Sequence, residues 1–376
     1  MKPELSIILP VRNEEKAIAS CIKKIKKVLK DNYISAEIIV SDSSSDSSPE
    51  IAKKLKVKLI KHDKEGYGNA YLSAFPHALG KYIFMADADG TYDFSEIPRF
   101  LKELKKGNDF VIGDRFKGSM EKNSMPLHHK YLGNPILSFI LRFLFRAKIN
   151  DVHCGMRAVK KSSLEKLNLR TTGMEFASEM IIQAIKHKLK IKELPINYSR
   201  RIGESKLKSF ADGWRHLRFM LLYSPLFLFL LPGAILSILG LLTLIIFYST
   251  NPLILGRQFY VHPIFASSLI LIIGYQLMIF ALFAKSYALV HLGERSKLIE
   301  SLHKSITIEK VALPSLFLII IGLAIFISTL IKWVSSGFGE LNEVKSSVLA
   351  LTLIILGLQT FFSSFMLSIL GIKHKD

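Results

Sequence analysis

From Leu5 onward the chain alternates between short apolar runs and longer stretches whose apolar residues return every three or four positions. Leu5–Leu9, Glu37–Val40, Val57–Ile60, Tyr82–Met85 and Phe110–Ile112 predict buried strands. Glu14–Leu29, Glu50–Lys54, Tyr67–Leu79 and Ser95–Lys106 carry the helical period between them. Strands alternating with helices predict an α/β fold, a mostly parallel, Rossmann-like sheet covered on both faces. Ligands of such sheets bind at the carboxyl ends of the strands, so chemistry is sought there.

Behind residue 224 the pattern changes. No Asp, Glu, Lys or Arg stands between Arg218 and Arg257, and Leu226–Tyr248 alone can cross a hydrocarbon core that needs about 20 apolar residues. Pro263–Ala284, Val311–Ile331 and Ser347–Leu370 are runs of the same kind. Buried helices of a soluble core would keep a polar face, and these have almost none. The chain thus divides into an α/β domain over 1–204, a juxtamembrane amphipathic helix over 205–224 and an α-helical transmembrane domain of four helices over 225–376. The expected spans are near 226–248, 263–284, 311–331 and 347–370. His128–Lys148 and Lys206–Leu222 mix Phe, Leu, Ile or Trp with Lys, Arg and His, the pattern of a helix lying in the membrane interface.

Composition agrees with this division. The 376 residues are 49% apolar, too greasy for an ordinary soluble enzyme, yet 22% are charged, too many for a chain wholly in lipid. Of the net charge of +20, the first 224 residues hold the larger part, 41 Lys and Arg against 25 Asp and Glu. Thirteen prolines and two cysteines, Cys21 and Cys154, exclude collagen-like and disulfide-scaffold classes. Lys285, Arg295, Lys297, Lys304 and Lys310 in one loop, with Lys373 and Lys375 in the tail, outnumber the basic residues of the other two loops. The positive-inside rule then predicts an integral, multi-pass membrane protein whose front domain is cytoplasmic. Leu5–Leu9, closed by Pro10, is too short for a signal peptide. Positive charge beside a bilayer has a use there, so no nucleic-acid partner is predicted.

The strongest chemical signal is Ala86-Asp87-Ala88-Asp89-Gly90, directly after an apolar run. In extended chain Asp87 and Asp89 point the same way, and two carboxylates so close repel unless something positive lies between them. A Mg²⁺ or Mn²⁺ bridging to a diphosphate answers that need. Pro10-Val11-Arg12-Asn13-Glu14 closes the first strand, and Asp42, with Ser43, Ser44, Ser45 and Asp46 behind it, closes the second. A carboxylate there suits a base N–H, and small residues leave room for a nucleoside. The glycines of Glu65-Gly66-Tyr67-Gly68 would let backbone approach a ligand, but no Gly-Lys-Ser/Thr makes them a Walker loop. Gly113-Asp114-Arg115 places Arg115 on the same rim. Asp151-Val152-His153-Cys154-Gly155-Met156-Arg157 and Gly173-Met174-Glu175 follow, and the Arg200, Arg201, Lys206 group ahead of the first span suits phosphate. His153 and Cys154 have no second pair at zinc spacing, and no Gly-x-Ser-x-Gly marks a hydrolase.

As a set, these motifs resemble the family 2 glycosyltransferases of the GT-A fold, in particular the polyprenyl-phosphate glycosyltransferases such as the dolichol-phosphate mannose and glucose synthases. The resemblance runs from Leu5 to about Trp214. It implies a GT-A catalytic domain, a nucleoside-diphosphate sugar as donor, a polyprenyl or dolichyl phosphate as acceptor, and Mg²⁺ or Mn²⁺. By the resemblance Pro10, Arg12, Glu14 and Asp42, with Asp87 and Asp89, are the nucleotide-binding set. Asp87 and Asp89 are the metal ligands, Asp89 and Arg115 are catalytic, and Arg115, His129, Lys130, Arg200, Ser205 and Lys206 bind diphosphate or acceptor phosphate. Three places depart from the family: the second strand ends Ser41-Asp42-Ser43-Ser44 where the family often has Asp-Asp-Gly-Ser, Thr91 stands where a Gln often ligates metal, and His129 or Lys130 takes the basic place in the first interfacial helix.

A lipid monophosphate is itself a nucleophile, its second pKa being about 6, so displacement at the anomeric carbon with inversion needs no strong base. The donor leans to UDP-glucose or another UDP-sugar, with GDP-mannose open, as is a homo-oligomer. Two enzyme alternatives stay in view. A hydroxyl acceptor would need a base, for which Glu175 and Glu179 are candidates. A processive polysaccharide synthase would carry a Gln-x-x-Arg-Trp motif, which is absent. The non-enzyme alternative, a membrane scaffold, has no use for the paired aspartates.

Overall fold

Seven strands build one sheet: β1 Leu5–Val11, β2 Ala36–Asp42, β3 Lys58–Lys61, β4 Tyr82–Met85, β5 Phe110–Asp114, β6 Arg157–Lys160 and β7 Ile191–Pro195. Their order is β3-β2-β1-β4-β6-β5-β7. All are parallel except β6, which runs antiparallel between β4 and β5. Ile7, Ile8, Leu9, Ile39, Val40, Ile83 and Ile112 are excluded from solvent, which is why these strands read as unbroken apolar runs rather than alternating ones. β6 and β7 are absent from the sequence expectation for a local reason. β6 is four residues long and opens on a charged residue, Arg157, and β7 is an edge strand ending in Pro195.

The computed structural model describes residues 2–203, 209–254, 256–291, 308–338 and 343–370. They form two units, Met1–Tyr223 and Ser224–Asp376. The expected boundary at 204/205 lies outside the described residues, as do Arg295, Lys297, Lys304, Lys373 and Lys375 of the basic loop and tail.

Helices α1 Ile18–Asp31, α2 Ser48–Lys54, α3 Tyr67–Ala74 and α4 Ile97–Lys105 cover the sheet. α1 starts four residues later than its periodicity predicts. Asn13 is left-handed, with φ of 53°, and the amides of Glu14 and Glu15 are taken by Ser48 Oγ and Asp46 Oδ2. α3 stops at Ala74 and tightens into a 3-10 turn over Phe75–His77, because Pro76 has no N–H to continue the α-helical ladder. α5 Asn134–Phe145, α6 Lys161–Leu167, α7 Phe176–Lys186 and α8 Ser209–Leu222 follow. α5 and α8, the two amphipathic stretches, are half-buried helices of the first unit. Leu141 of α5 and His216, Phe219 and Met220 of α8 pack inward. Their other faces leave Ile136, Phe139, Phe143, Phe210 and Trp214 exposed.

The second unit holds α9 Leu231–Ser249, α10 His262–His291, α11 Ile308–Ser335 and α12 Val344–Leu370. With the turn of π-helix ahead of α9, these give four helices long and apolar enough to cross a membrane: Leu226–Ser249, His262–Val290, Lys310–Ser335 and Val344–Leu370. α10 and α12 are joined by polar pairs, Ser268 with Thr352 at 2.6 Å and Gln359 Nε2 with Gln276 Oε1 at 2.9 Å. In hydrocarbon such groups find partners across helices or on their own helix's carbonyls, as Thr352 does at Val348.

Candidate active site

Chain order fixes where the site falls. β1 is flanked by β2 on one side and β4 on the other, so the connection leaving β1 runs to one side and that leaving β4 to the other, which opens a crevice between their carboxyl ends. Arg12, Asn13 and Glu14 leave β1, Asp42 ends β2, and Asp87 and Asp89 follow β4. The β1 exit is sewn to the β2 exit: Asn13 Oδ1 accepts from the Ser45 amide at 2.8 Å, and Ser44 Oγ accepts from the Asn13 amide at 2.8 Å. The Ser-rich turn therefore holds the rim in shape as well as keeping it small.

Asp89 is 5% exposed and both its carboxylate oxygens are engaged. Oδ1 accepts from the Thr91 amide at 3.0 Å and from Thr91 Oγ1 at 2.6 Å, an Asx-type turn. Oδ2 accepts from Arg201 Nη1 at 2.7 Å. Thr91 thus orients Asp89. Arg201 spans the crevice, its Nη2 donating to Glu14 Oε1. Arg201 lies on a strap that runs along the aspartate loop. The Ser199 amide donates to the Thr91 carbonyl at 2.9 Å, and the Ile202 amide to the Asp89 carbonyl at 2.8 Å. Gly90 makes room for it: its φ is +84°, and a Cβ there would meet Ile202 Cδ1 at 2.8 Å.

Asp87 sits beside Tyr67, Tyr92 and Gly155. Burial and the neighbouring Asp89 push its carboxyl up to about 7, against the pull of Arg201, Arg115 and the Tyr67 hydroxyl. Glu14 and Asp89 share the Arg201 guanidinium, with Asp87 close by, a gathering of acids that fits a divalent cation. Among the described residues no cluster of three or more His, Cys, Asp or Glu is placed to hold a metal ion by itself. A cation there would take its remaining ligands from diphosphate oxygens and water, the usual habit of Mg²⁺. Asp42, 2% exposed, has its carboxyl raised by burial, and its Oδ1 has no hydrogen-bond partner. An unpaired buried acceptor costs stability until a donor reaches it, so this atom suits a base N–H.

Several expected site residues are placed differently. Arg115 does not lie open on the rim: it is 6% exposed, donating from Nε to Asp151 Oδ2 at 2.6 Å and from Nη2 to Asp151 Oδ1 at 2.8 Å, and it stacks over Tyr198. Burial works against its charge, but Asp151 outweighs burial and holds it well above the ordinary guanidinium range. Arg12 pairs with Glu65 at 2.6 Å on the exposed rim, where such a pair is worth little. Pro10 is half-buried at the end of β1. Gly66 and Gly68 serve protein packing: a Cβ on either would run into the carbonyl oxygens of Thr172 or Thr171. Among the base candidates, Glu179 is fully buried and accepts from the Arg170 and Thr171 amides and from Thr171 Oγ1. Glu175 keeps one buried oxygen, Oε2, without a partner.

His129 is half-buried, and burial, His128 and Arg115 lower its pKa, so it stands within electrostatic reach of Arg115. Lys130 lies over the Tyr131 ring at 5.6 Å. Arg200 is exposed, its amide donating to Glu121 at 2.9 Å. Ser205 and Lys206 lie outside the described residues. Arg201 is the residue that sequence reading passed over as a partner of the aspartates. Its only signal was its position beside Arg200.

A mostly parallel sheet of this order, with an Asp-x-Asp at the exit of β4 and a helical unit of four spans behind it, defines a membrane-bound glycosyltransferase of GT-A type. Residues 6–168 match the family described as Glycosyl transferase family 2, and residues 282–371 match the Glycosyltransferase family 2 C-terminal transmembrane region. The chain is 40% identical over 370 residues to the low-salt glycan biosynthesis hexosyltransferase Agl6 of Haloferax volcanii, covering 98% of this chain and 89% of that one. It is 32% identical over 211 residues to a dolichyl-phosphate hexose transferase of the same organism, covering 56% of this chain and 89% of that one. A UDP-N-acetylglucosamine–dolichyl-phosphate N-acetylglucosaminyltransferase of Methanococcus voltae is 34% identical over 240 residues, covering 56% and 94%. The chain belongs to glycosyltransferase family 2 and is a membrane glycosyltransferase.

Proposed function

We propose that this enzyme moves a sugar from a nucleoside-diphosphate sugar to the phosphate of a membrane polyprenyl or dolichyl phosphate, with inversion at the anomeric carbon. The observation that carries the reading is the Asp87 and Asp89 pair at the crevice between β1 and β4, with Glu14 and Asp89 bonded to the same Arg201 guanidinium. Two relatives that share the front domain have dolichyl phosphate in their names, which supports the acceptor class. Asp42 Oδ1 is the acceptor for the nucleobase, with Pro10, Arg12 and Glu14 bordering the nucleoside. Asp87 and Asp89 hold Mg²⁺ or Mn²⁺ together with the donor diphosphate. That ion neutralises charge building on the leaving group.

The chain's own work is alignment. Thr91 fixes Asp89 so that one oxygen faces the crevice, close to the anomeric carbon. The Arg115–Asp151 pair, neutral as a unit, gives the acceptor phosphate a rigid wall, with Lys130, Arg200 and Lys206 supplying positive charge to it and His129 and Ser205 supplying hydrogen-bond donors. Because the phosphate is already ionised, holding it in line does most of what catalysis requires. The exposed apolar faces of α5 and α8 would enter the headgroup region, letting a lipid-borne phosphate reach the site without leaving the bilayer. The front domain faces the cytoplasm in this reading, and the donor is a UDP-sugar, glucose foremost.

The test is a donor panel. Purified protein, polyprenyl phosphate and Mn²⁺ or Mg²⁺ are mixed with radiolabelled UDP- and GDP-sugars, and the lipid fraction is extracted. Label in an acid-labile lipid phosphate is expected from one UDP-sugar. Label only in water-soluble sugar or in a glycolipid lacking phosphate would overturn the acceptor class.

A further inference from the structure

Arg201 stands in an unusual place for a residue near a cation seat. Its guanidinium reaches the one Asp89 oxygen that Thr91 leaves available, and the other end of the fork is tied to Glu14. The contact is well shielded, Arg201 and Asp89 side chains being 24% and 7% exposed. Asp89 therefore has no unengaged oxygen turned to the crevice in this conformation. A divalent cation drawn to that oxygen would meet a fixed positive charge beside it, and two cations on one carboxylate oxygen repel strongly away from bulk water. The arrangement also carries a built-in weakness. Arg201 Nε is buried without a partner, and an unsatisfied buried donor penalises the conformation that holds it. The strap's backbone is held to the aspartate loop from Ser199 and Ile202 and to the 119–121 segment through Tyr198 and Arg200, but the Arg201 guanidinium itself is held to Asp89 and Glu14, so releasing it requires only that these two contacts part.

We propose that Arg201 is a placeholder cation: in the donor-free enzyme it occupies the position at Asp89 that the divalent cation takes, and cation binding and release of Arg201 are a single exchange. This rests on the metal reading given under the proposed function. Arg201 acts here as a positioning residue. It keeps three carboxylates from repelling one another before the donor arrives, and on release it presents a planar fork to the incoming diphosphate, which guanidinium pairs with bidentately. The exchange makes weak binding of the bare ion a designed property, because the binding-competent state is populated only when Arg201 is off Asp89.

The experiment uses the full chain in detergent, without nucleotide, titrated with Mn²⁺ alone and followed by the electron-paramagnetic signal of free Mn²⁺. If the latch is closed nine times in ten or more, Arg201→Ala binds Mn²⁺ roughly tenfold more tightly than the wild type. Arg201→Lys, which keeps the charge but cannot span Asp89 and Glu14 with one fork, is expected to tighten as well. Hydrogen exchange at 198–203 should rise when Mn²⁺ is added to the wild type, and should already be fast in Arg201→Ala. Equal affinities and unchanged exchange in all three proteins would overturn the proposal. So would tightening in Arg201→Ala with wild-type affinity in Arg201→Lys, the mark of a through-space charge without a latch. Asp89→Asn in the Arg201→Ala background separates the two readings: loss of Mn²⁺ binding places the ion at this seat, whereas retained binding would remove the metal reading and the exchange together.

Discussion

Arg115 and Asp151 form a two-armed ion pair inside the first unit, Nε to Oδ2 at 2.6 Å and Nη2 to Oδ1 at 2.8 Å, with Asp151 wholly excluded from solvent. Asp151 also accepts from the Arg115 amide at 3.1 Å and is itself placed by Glu193, whose Oε1 accepts from the Asp151 amide at 3.0 Å. One residue thus fixes both the backbone and the side chain of the rim position after β5. Removing one partner of such a pair leaves a buried charge uncompensated, which costs about 3–5 kcal/mol. Asp151→Ala is expected to lose stability on that scale in chemical unfolding of the detergent-solubilised protein. Arg115→Leu, which removes a charge and leaves Asp151 exposed to the same penalty, should be comparably unstable. If instead Arg115 variants keep wild-type stability and lose only acceptor affinity, the guanidinium belongs to the phosphate more than to Asp151.

Turnover is expected to depend on the cation seat. Asp89→Asn keeps the shape of the loop, since Thr91 can still donate to an amide oxygen, and Asp89→Asn and Asp87→Asn each withdraw a charged ligand from the cation that would neutralise the diphosphate. Loss of several kcal/mol of charge stabilisation corresponds to a fall of at least about a hundredfold in kcat. Circular dichroism should remain that of the wild type. Chelation with EDTA should produce the same loss in the unmodified enzyme, and added Mn²⁺ should restore it. Full activity in EDTA-treated, metal-free buffer would remove the divalent ion from the reaction.

Much of this site could be read in the chain because strand ends are local features. The run Tyr82–Met85 followed by Asp-Ala-Asp-Gly places the aspartates at a sheet edge whatever surrounds them. Asp42 and the Pro10–Glu14 turn follow from the same logic. Arg201 could not be read that way. Its meeting with Asp89 joins residues 112 positions apart through a strap that carries no periodicity, so only the folded chain reveals it. The pairing of Arg115 could not be read for a related reason: local sequence puts it at the rim, and the compensating Asp151 arrives from another segment. The Gly66 and Gly68 pair looked like a ligand loop, yet what approaches those glycines is the backbone of Thr171 and Thr172. β6 escaped notice because a strand of four residues that opens on buried Arg157 violates the apolar pattern, its charge being satisfied by three carbonyls, of Val152, Cys154 and Ala177.

Acid should weaken the first unit through α8. His216 is 6% exposed and bonded to Ser178 Oγ at 2.8 Å, and its ring lies 4.5 Å from that of His153. Burial, with a further contribution from Arg157, pulls the His216 pKa down to about 4, and burial, His216, Arg115 and Arg157 lower that of His153 well below the usual imidazole range. Folding therefore prefers both rings neutral. For a group whose folded pKa is depressed, the stabilisation is complete above the unfolded pKa of about 6.5 and is lost as pH falls toward the folded value. His216 alone accounts for an amount of order 3 kcal/mol across that window. Thermal unfolding followed from pH 7 to 4 should show a falling midpoint, and His216→Gln should flatten that fall relative to the wild type. Parallel curves for the two proteins would show that α8 is not where acid acts.

The acceptor class can be decided at the two glutamates of α7 and its entry. A hydroxyl acceptor needs a general base, whose removal usually costs 10²–10⁴-fold. Glu179 is not available for that work, because each of its oxygens already accepts from the backbone of Arg170 or Thr171. Glu179→Gln turns one acceptor into a donor facing amides, so about 1–3 kcal/mol of stability should be lost, with kcat largely kept in the folded fraction. Glu175 is the discriminating position, since its Oε2 is buried and unpartnered. With a phosphate acceptor, Glu175→Gln is expected to leave kcat and its pH profile within a few-fold of the wild type, because the nucleophile arrives ionised. A hundredfold fall in kcat, together with loss of the acidic limb that a carboxylate base gives the pH profile, would instead identify Glu175 as the base and a hydroxyl as the acceptor.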